Sequence, residues 1–104
     1  MSVVSIFAVF ASAEEAERIG RHCVEERLAA CVNILGPTRS IYRWNDAIET
    51  ADEVAALFKT TEEGADALIA RIAGMHSYEV PCIVSWPIDK IIAPYAEWVE
   101  AGVD

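Results

Sequence analysis

At 104 residues with a formal charge of -9, the chain has the size of one domain, 1–104, and lacks the basic excess that nucleic acid or anionic lipid would demand. Hydrophobic residues make up 54% of it, against the usual ~45–50% of globular chains, so it has more apolar surface than one small core readily hides. Cys23, Cys31 and Cys82 cannot all pair within one chain and show no Cys-x-x-Cys spacing, which reads as reduced thiols in the cytoplasm.

Val3 to Ala11 is a nearly uninterrupted apolar run, which predicts a strand buried on both faces at the middle of a sheet. Followed by Ala11-Ser12-Ala13 it imitates a secretory signal, but no Lys or Arg precedes it and the first basic residue is Arg18. No apolar run reaches the ~20 residues that span a bilayer. Ser12 with Glu15 forms a capping box that opens a helix to about Ala29, with Ala16, Ile19, Gly20, Cys23 and Val24 as its apolar stripe. His22 falls on the solvent side. Arg27 falls partly inward near the helix end, either as a cation that complements the helix dipole or as an anion clamp for a ligand or neighbouring subunit.

Cys31 to Thr60 reads as one long hairpin closed by Asn45-Asp46, two residue types that tolerate left-handed backbone. Gly36-Pro37 bends its first strand, because Pro donates no ladder hydrogen bond and Gly permits a bulge. A strand of about 14 residues spans roughly 46 Å, whereas a compact chain of this size is about 34 Å across. The tip therefore overhangs. It carries Ile41, Tyr42, Trp44, Ile48 and Val54, an aggregation hazard unless another chain covers them, so an oligomer is expected.

Thr60 and Glu63 offer a second capping box, opening a helix with Ala65, Leu68, Ile69 and Ile72 on its stripe and His76 leaving it on the core side. Ser77 to Pro81 must be non-helical, because the residue before Pro is pushed toward extended backbone. Cys82 to Trp86 then reads as a short buried strand stopped by Pro87. Ile91, Ile92, Tyr95, Trp98 and Val99 give a last helix with Pro94 in its first turn. The sum is an α+β, ferredoxin-like β-α-β-β-α-β plan with a long β2–β3 hairpin and a C-terminal helix. Two helices cover one face of the sheet, and the bare face invites sheet-mediated assembly.

Three stretches in order, Glu26-Arg27-Leu28-Ala29-Ala30-Cys31-Val32-Asn33-Ile34, Ser40-Ile41-Tyr42-Arg43-Trp44 and His76-Ser77-Tyr78-Glu79-Val80-Pro81, closely resemble the CutA family of divalent-cation tolerance proteins. Lys59-Thr60 and the Tyr95, Trp98 spacing extend the likeness over essentially the whole chain. The resemblance implies a homotrimer whose hairpins pair between subunits, similar to PII signalling proteins, and association with Cu2+ or another divalent metal. It also implicates a first-strand Cys and a His pair as copper ligands, and here those positions hold Val9 and Met75, with only His76 kept and Ser77 in place of the usual Pro.

A copper or zinc site needs three or four converging thiolates or imidazoles. His76 and Cys31 are the candidate metal residues, although Cys31, like Cys23 and Cys82, also reads as a small buried hydrophobe. A second functional class is a PII-like sensor or scaffold. In it Arg43, Trp44, Lys59, Tyr78 and Glu79 gather at an intersubunit cleft for a small anionic ligand, or a protein partner binds there. Tyr42 and Trp44 are equally suited to anchor a subunit interface. A third class, an enzyme using Cys31 or Cys82 with His76, finds no supporting motif, and the chain is read as non-enzymatic.

Overall fold

The computed structural model describes residues 2–104, and its elements run in the order expected. They are β1 (Val3–Phe10), α1 (Ala13–Glu25), β2 (Cys31–Trp44), β3 (Ala47–Thr61), α2 (Ala65–Met75), β4 (Ile83–Pro87) and α3 (Ala93–Gly102). The strands form one antiparallel sheet in the order β2-β3-β1-β4. The apolar β1 is thus central, and all but Phe7 of its residues are buried.

Alternation divides β1 between the two faces. Val4, Ile6, Ala8 and Phe10 join Phe58 and Ala56 of β3 against Ile19 and Cys23 of α1 and Leu68 and Ile72 of α2, forming the main core. Val3, Ser5, Phe7 and Val9 face the other way. That second face is not wholly bare, as the sequence suggested. Helix α3 packs on β1 and β3, Val99 is fully buried, and Tyr95 reaches the Cys31 thiol at 3.4 Å. One half of the second face is sealed by α3 and the other half is open.

The first capping box forms in an altered version and the second does not form, since α2 has Gly64 at its N-cap and no side-chain cap bond. Ser12 Oγ accepts from the Glu15 N–H at 3.1 Å, but Glu15 Oε1 reaches back to the Ala11 N–H, also at 3.1 Å. Before α2 it is Thr61 that accepts from the Gly64 N–H, at 3.2 Å, while Thr60 stays in the sheet and donates to the Leu28 carbonyl at 2.8 Å. Helix α1 stops earlier than predicted. Arg27 lies beyond it at φ 61°, and the Leu28 and Arg27 N–H groups close back on the Cys23 and Val24 carbonyls, the left-handed stop usually given to Gly. Its guanidinium holds the chain end, donating to the Ala101 carbonyl at 2.7 Å and the Asp104 carboxylate at 2.9 Å. Arg27 therefore lies outside α1, with its guanidinium on partners from the end of α3 and beyond.

The hairpin overhangs as expected. Its turn residues Asn45 and Asp46 have φ of 50° and 63°, the paired left-handed residues of a tight hairpin turn. The last β1 pair is Phe10 with Val54. Residues Ala47 to Glu53 and their β2 partners run on alone, an arm of about 23 Å at ~3.3 Å per residue. The molecule is accordingly 45 Å long and 22 Å thin, and its 6313 Å² of surface exceeds the ~5,800 Å² typical of its mass.

A bulge between Ile34 and Gly36 shifts the register of β2 on β3. Gly36 sits there at φ +101°, a conformation that side chains disfavour. The extra residue inverts the alternation of β2. Before it, Cys31 and Asn33 pair with Lys59 and Leu57 of the second face; after it, Ser40, Tyr42 and Trp44 pair with Ala51, Glu49 and Ala47 on that same face. Arg43 is turned to the opposite side.

Candidate functional site

The segment after α2 organises the open end of the sheet. His76 leaves the helix in extended backbone, and its side chain is wholly buried. The ring stacks on Phe10 with centroids 5.1 Å apart and meets Tyr78 at 4.9 Å. Its Nδ1 accepts from the Tyr78 N–H at 3.0 Å, which leaves the proton on Nε2, and that nitrogen donates to the Val9 carbonyl at 2.7 Å. Both ring nitrogens are engaged by backbone.

Glu15 completes this clamp. Only 6% exposed, its Oε2 accepts from the Ser77 N–H at 2.7 Å while Oε1 holds the Ala11 N–H. Burial alone would raise this carboxyl, but the bonds from Ser77 and Ala11 outweigh it and hold the group below the usual carboxylate range. One acid thus ties the start of α1 to the segment that carries His76.

Tyr78 turns from there to the second face of the sheet. Its hydroxyl donates to Glu53 Oε2 at 2.7 Å, and burial together with that carboxylate pushes the phenol up to about 12. Around this pair opens a cleft of about 510 Å³. The arm supplies Tyr42, Trp44 and Glu49, the body supplies Val9, and the segment after His76 supplies Glu79 and Val80. Cys82, expected to begin a buried strand, is an exposed thiol at the cleft rim. The strand itself, β4, is an edge with Val84 and Trp86 exposed, and Trp86 stacks on Phe7 at 6.0 Å.

The sequence-derived ligand set is therefore brought together in part. Trp44, Tyr78 and Glu79 line the cleft, and Arg43 and Lys59 do not. The bulge turns Arg43 away. Lys59 lies on the correct face, but roughly 20 Å down β3 from Glu53 at ~3.3 Å per residue, where it contacts Asn33 at 3.4 Å. Sequence reading missed Glu53, Glu49 and Tyr42 as cleft residues. The alternation of β3 was the available signal for the two acids, but the inverted alternation of β2 could not be read without the register.

The candidate metal residues stay apart. Cys31 pairs with Lys59, opposite Ser5, whereas His76 binds at Val9. That is roughly 13 Å along the sheet and about 10 Å across it. Cys31 Sγ bonds Tyr95, whose hydroxyl is pushed up to about 12 first by that contact and then by burial. Cys23 is sealed in the core, and burial raises its thiol to about 11. Met75 packs against the core cluster. Among the described residues no three His, Cys, Asp or Glu side chains converge on a point that could hold a metal ion. The residues present do not fit a closed soft-donor centre within one chain.

Comparison with known proteins supplies the context. A family model described as CutA1 divalent ion tolerance protein matches residues 4–102. The divalent-cation tolerance protein CutA of Archaeoglobus fulgidus is 38% identical over 95% of this chain and 96% of its own length. Human protein CutA is 37% identical over 94% of this chain, which spans only 55% of that longer protein. Among solved structures, CutA from Xylella fastidiosa superposes with a TM-score of 0.97 at 35% identity, covering 100% of both chains. A structure described as the periplasmic divalent cation tolerance protein CutA from Archaeoglobus fulgidus gives 0.94 at 37%, over 98% and 99%. With sequence motifs, fold and relatives in agreement along nearly its full length, the chain belongs to the CutA family of divalent-ion tolerance proteins.

Proposed function

We propose that this chain serves divalent-cation tolerance as a non-enzymatic homotrimer, joined through its hairpin arms, that takes Cu2+ or another divalent metal only weakly or conditionally. The observation that carries the weak-binding reading is His76, whose two ring nitrogens are hydrogen-bonded to Val9 and Tyr78 and offer no lone pair to a metal. The overhanging apolar arm supports assembly, since Ile41 is 71% and Ile48 61% exposed in the single chain. The three free thiols support a reducing, cytoplasmic setting.

Calorimetric titration of Cu(II) and Zn(II) into the reduced protein, with its mass measured in solution, tests the reading. A trimeric mass is expected, with no saturation at micromolar metal and the same isotherm for a folded His76→Gln variant. Micromolar saturable binding that disappears in that variant would overturn it, and so would a monomeric mass.

A second reading is favoured by the cleft. Its volume of about 510 Å³ lies within the ~300–1,000 Å³ usual for small-molecule sites, which supports a PII-like sensor or scaffold with a ligand beside each arm.

A further inference from the structure

We propose that α3 is a hinged lid over the Cys31 end of the second sheet face, closed by a latch between its C-terminal end and the turn at Arg27. Hinge, cover and latch are each built from contacts within the chain.

The hinge is the stretch 88–92. No helix or strand joins the end of β4 at Pro87 to the start of α3 at Ala93, and α3 opens there with no side-chain cap bond at Ile92. A short irregular connector at the end of an element is where a hinge absorbs its change of φ and ψ. The cover is α3 itself. It packs on β1 and β3, Val99 is its fully buried residue, and the Tyr95 hydroxyl stands against Cys31 Sγ at 3.4 Å. While the lid is closed, that thiol is half-buried beneath it.

The latch lies at the end farthest from the hinge. Arg27 Nε donates to Asp104 Oδ1 at 2.9 Å, its Nη2 donates to the Ala101 carbonyl at 2.7 Å, and the Asp104 N–H returns to the Arg27 carbonyl at 3.1 Å. Two charge-assisted bonds thus run one way and a backbone bond the other. Shape adds to charge. A Cβ at Gly102 would stand 3.1 Å from Ala30 Cβ and 3.3 Å from its Cα, so the absence of a side chain lets the end of α3 lie directly on Ala30. That residue is fixed to the sheet, its N–H bonded to the Lys59 carbonyl at 2.9 Å, while the Thr60 hydroxyl holds the Leu28 carbonyl at 2.8 Å. The receiving turn is therefore rigid, and the piece it receives is the tip of a helix pivoted ten residues away. Breaking this one clasp frees the lid as a unit and uncovers the half of the second face that α3 seals.

The three thiols report on three places: Cys31 beneath the lid, Cys23 in the main core and Cys82 at the cleft rim. The assembled protein is exposed to a small disulfide reagent, and labelling of each cysteine is followed by mass spectrometry. Arg27→Gln removes the charge of the clasp, and Gly102→Ala wedges the contact with Ala30. Each is expected to speed labelling of Cys31 about three- to fivefold, the scale of losing one exposed ion pair, and to leave Cys23 and Cys82 at wild-type rates. Salt of about 1 M should speed Cys31 about twofold in the wild type and leave it unchanged in Arg27→Gln, where the pair to be screened is already gone. An unchanged Cys31 rate in either variant would overturn the lid. So would Cys23 quickening together with Cys31, which marks opening of the whole fold, and so would Cys82 quickening with it, which marks loss of assembly.

Discussion

The two ends of β3 use the same alternating backbone and meet different fates. In the body, Phe58 and Ala56 are fully buried under α1 and α2, and Ala55 is covered on the opposite face. In the arm, Ile48 of β3 and Ile41 of β2 are the most exposed large apolar residues of their strands. Both ends are paired along the backbone, so ladder hydrogen bonding does not separate them. What separates them is the layer above the sheet: helices lie over the body, whereas the arm face that carries Ile41 and Ile48 is left exposed in the single chain. Apolar content is thus a statement about stability in the body and about association in the arm.

Substitution at matched apolar positions sharpens that contrast most. Phe58→Ala leaves a cavity in the core and should cost about 3–5 kcal/mol of unfolding free energy, read as a lowered denaturant midpoint. Ile41→Ala removes a largely exposed side chain and should cost about 0.5 kcal/mol or less in a dilute monomer, appearing instead as a mass that falls on dilution. A concentration-independent loss at Ile41 as large as that at Phe58 would erase the distinction between body and arm.

A smaller effect is expected where the two regions join. Glu15→Gln leaves either the Ser77 or the Ala11 N–H without an acceptor and the other with an uncharged one, and should cost about 1–3 kcal/mol. Because the folded carboxyl is held low, its contribution is complete above the unfolded value of about 4.3 and is lost as pH falls through the folded value. The wild type should therefore lose more stability than the variant on acidification below about pH 4.3, measured by urea midpoints at a series of pH values. Parallel losses in the two proteins would show that the clamp does not depend on the charge of Glu15.

The bulge carries the smallest effect on stability. A Cβ added at Gly36 meets nothing within 4 Å, but the backbone there is at φ +101°, so Gly36→Ala should cost about 1 kcal/mol or somewhat more through conformational strain alone. Tryptophan fluorescence should register a change near Trp44 if the arm re-registers. An unchanged midpoint and unchanged spectrum would mean that the arm holds its register without this glycine.

Periodicity made most of the fold legible. The unbroken apolar run of β1 marked a central strand, the stripes at Ile19, Cys23, Leu68 and Ile72 marked two helices on one face, and Asn45-Asp46 marked the hairpin turn. These are local signals: a residue's spacing from its neighbours depends only on the chain. The family motifs added the divalent-ion tolerance identity, which the relatives support over nearly all of the chain.

The site was legible only in part. Trp44, Tyr78 and Glu79 could be nominated from their motifs, yet Arg43 and Trp44 are adjacent and only one can face the cleft. The bulge at Gly36 made that choice, and a one-residue shift moves every later side chain to the other face. Likewise, a histidine in sequence is a potential ligand until its nitrogens are accounted for. Tertiary structure spent those of His76 on Val9 and Tyr78, and set Cys31 against Tyr95 across the sheet. The sequence by itself determined which residue types are present, how they alternate and which elements they build. Register, the commitment of each donor and acceptor, and the meeting of Glu53 with Tyr78 depend on contacts between residues far apart in the chain, and so only the folded molecule decided them.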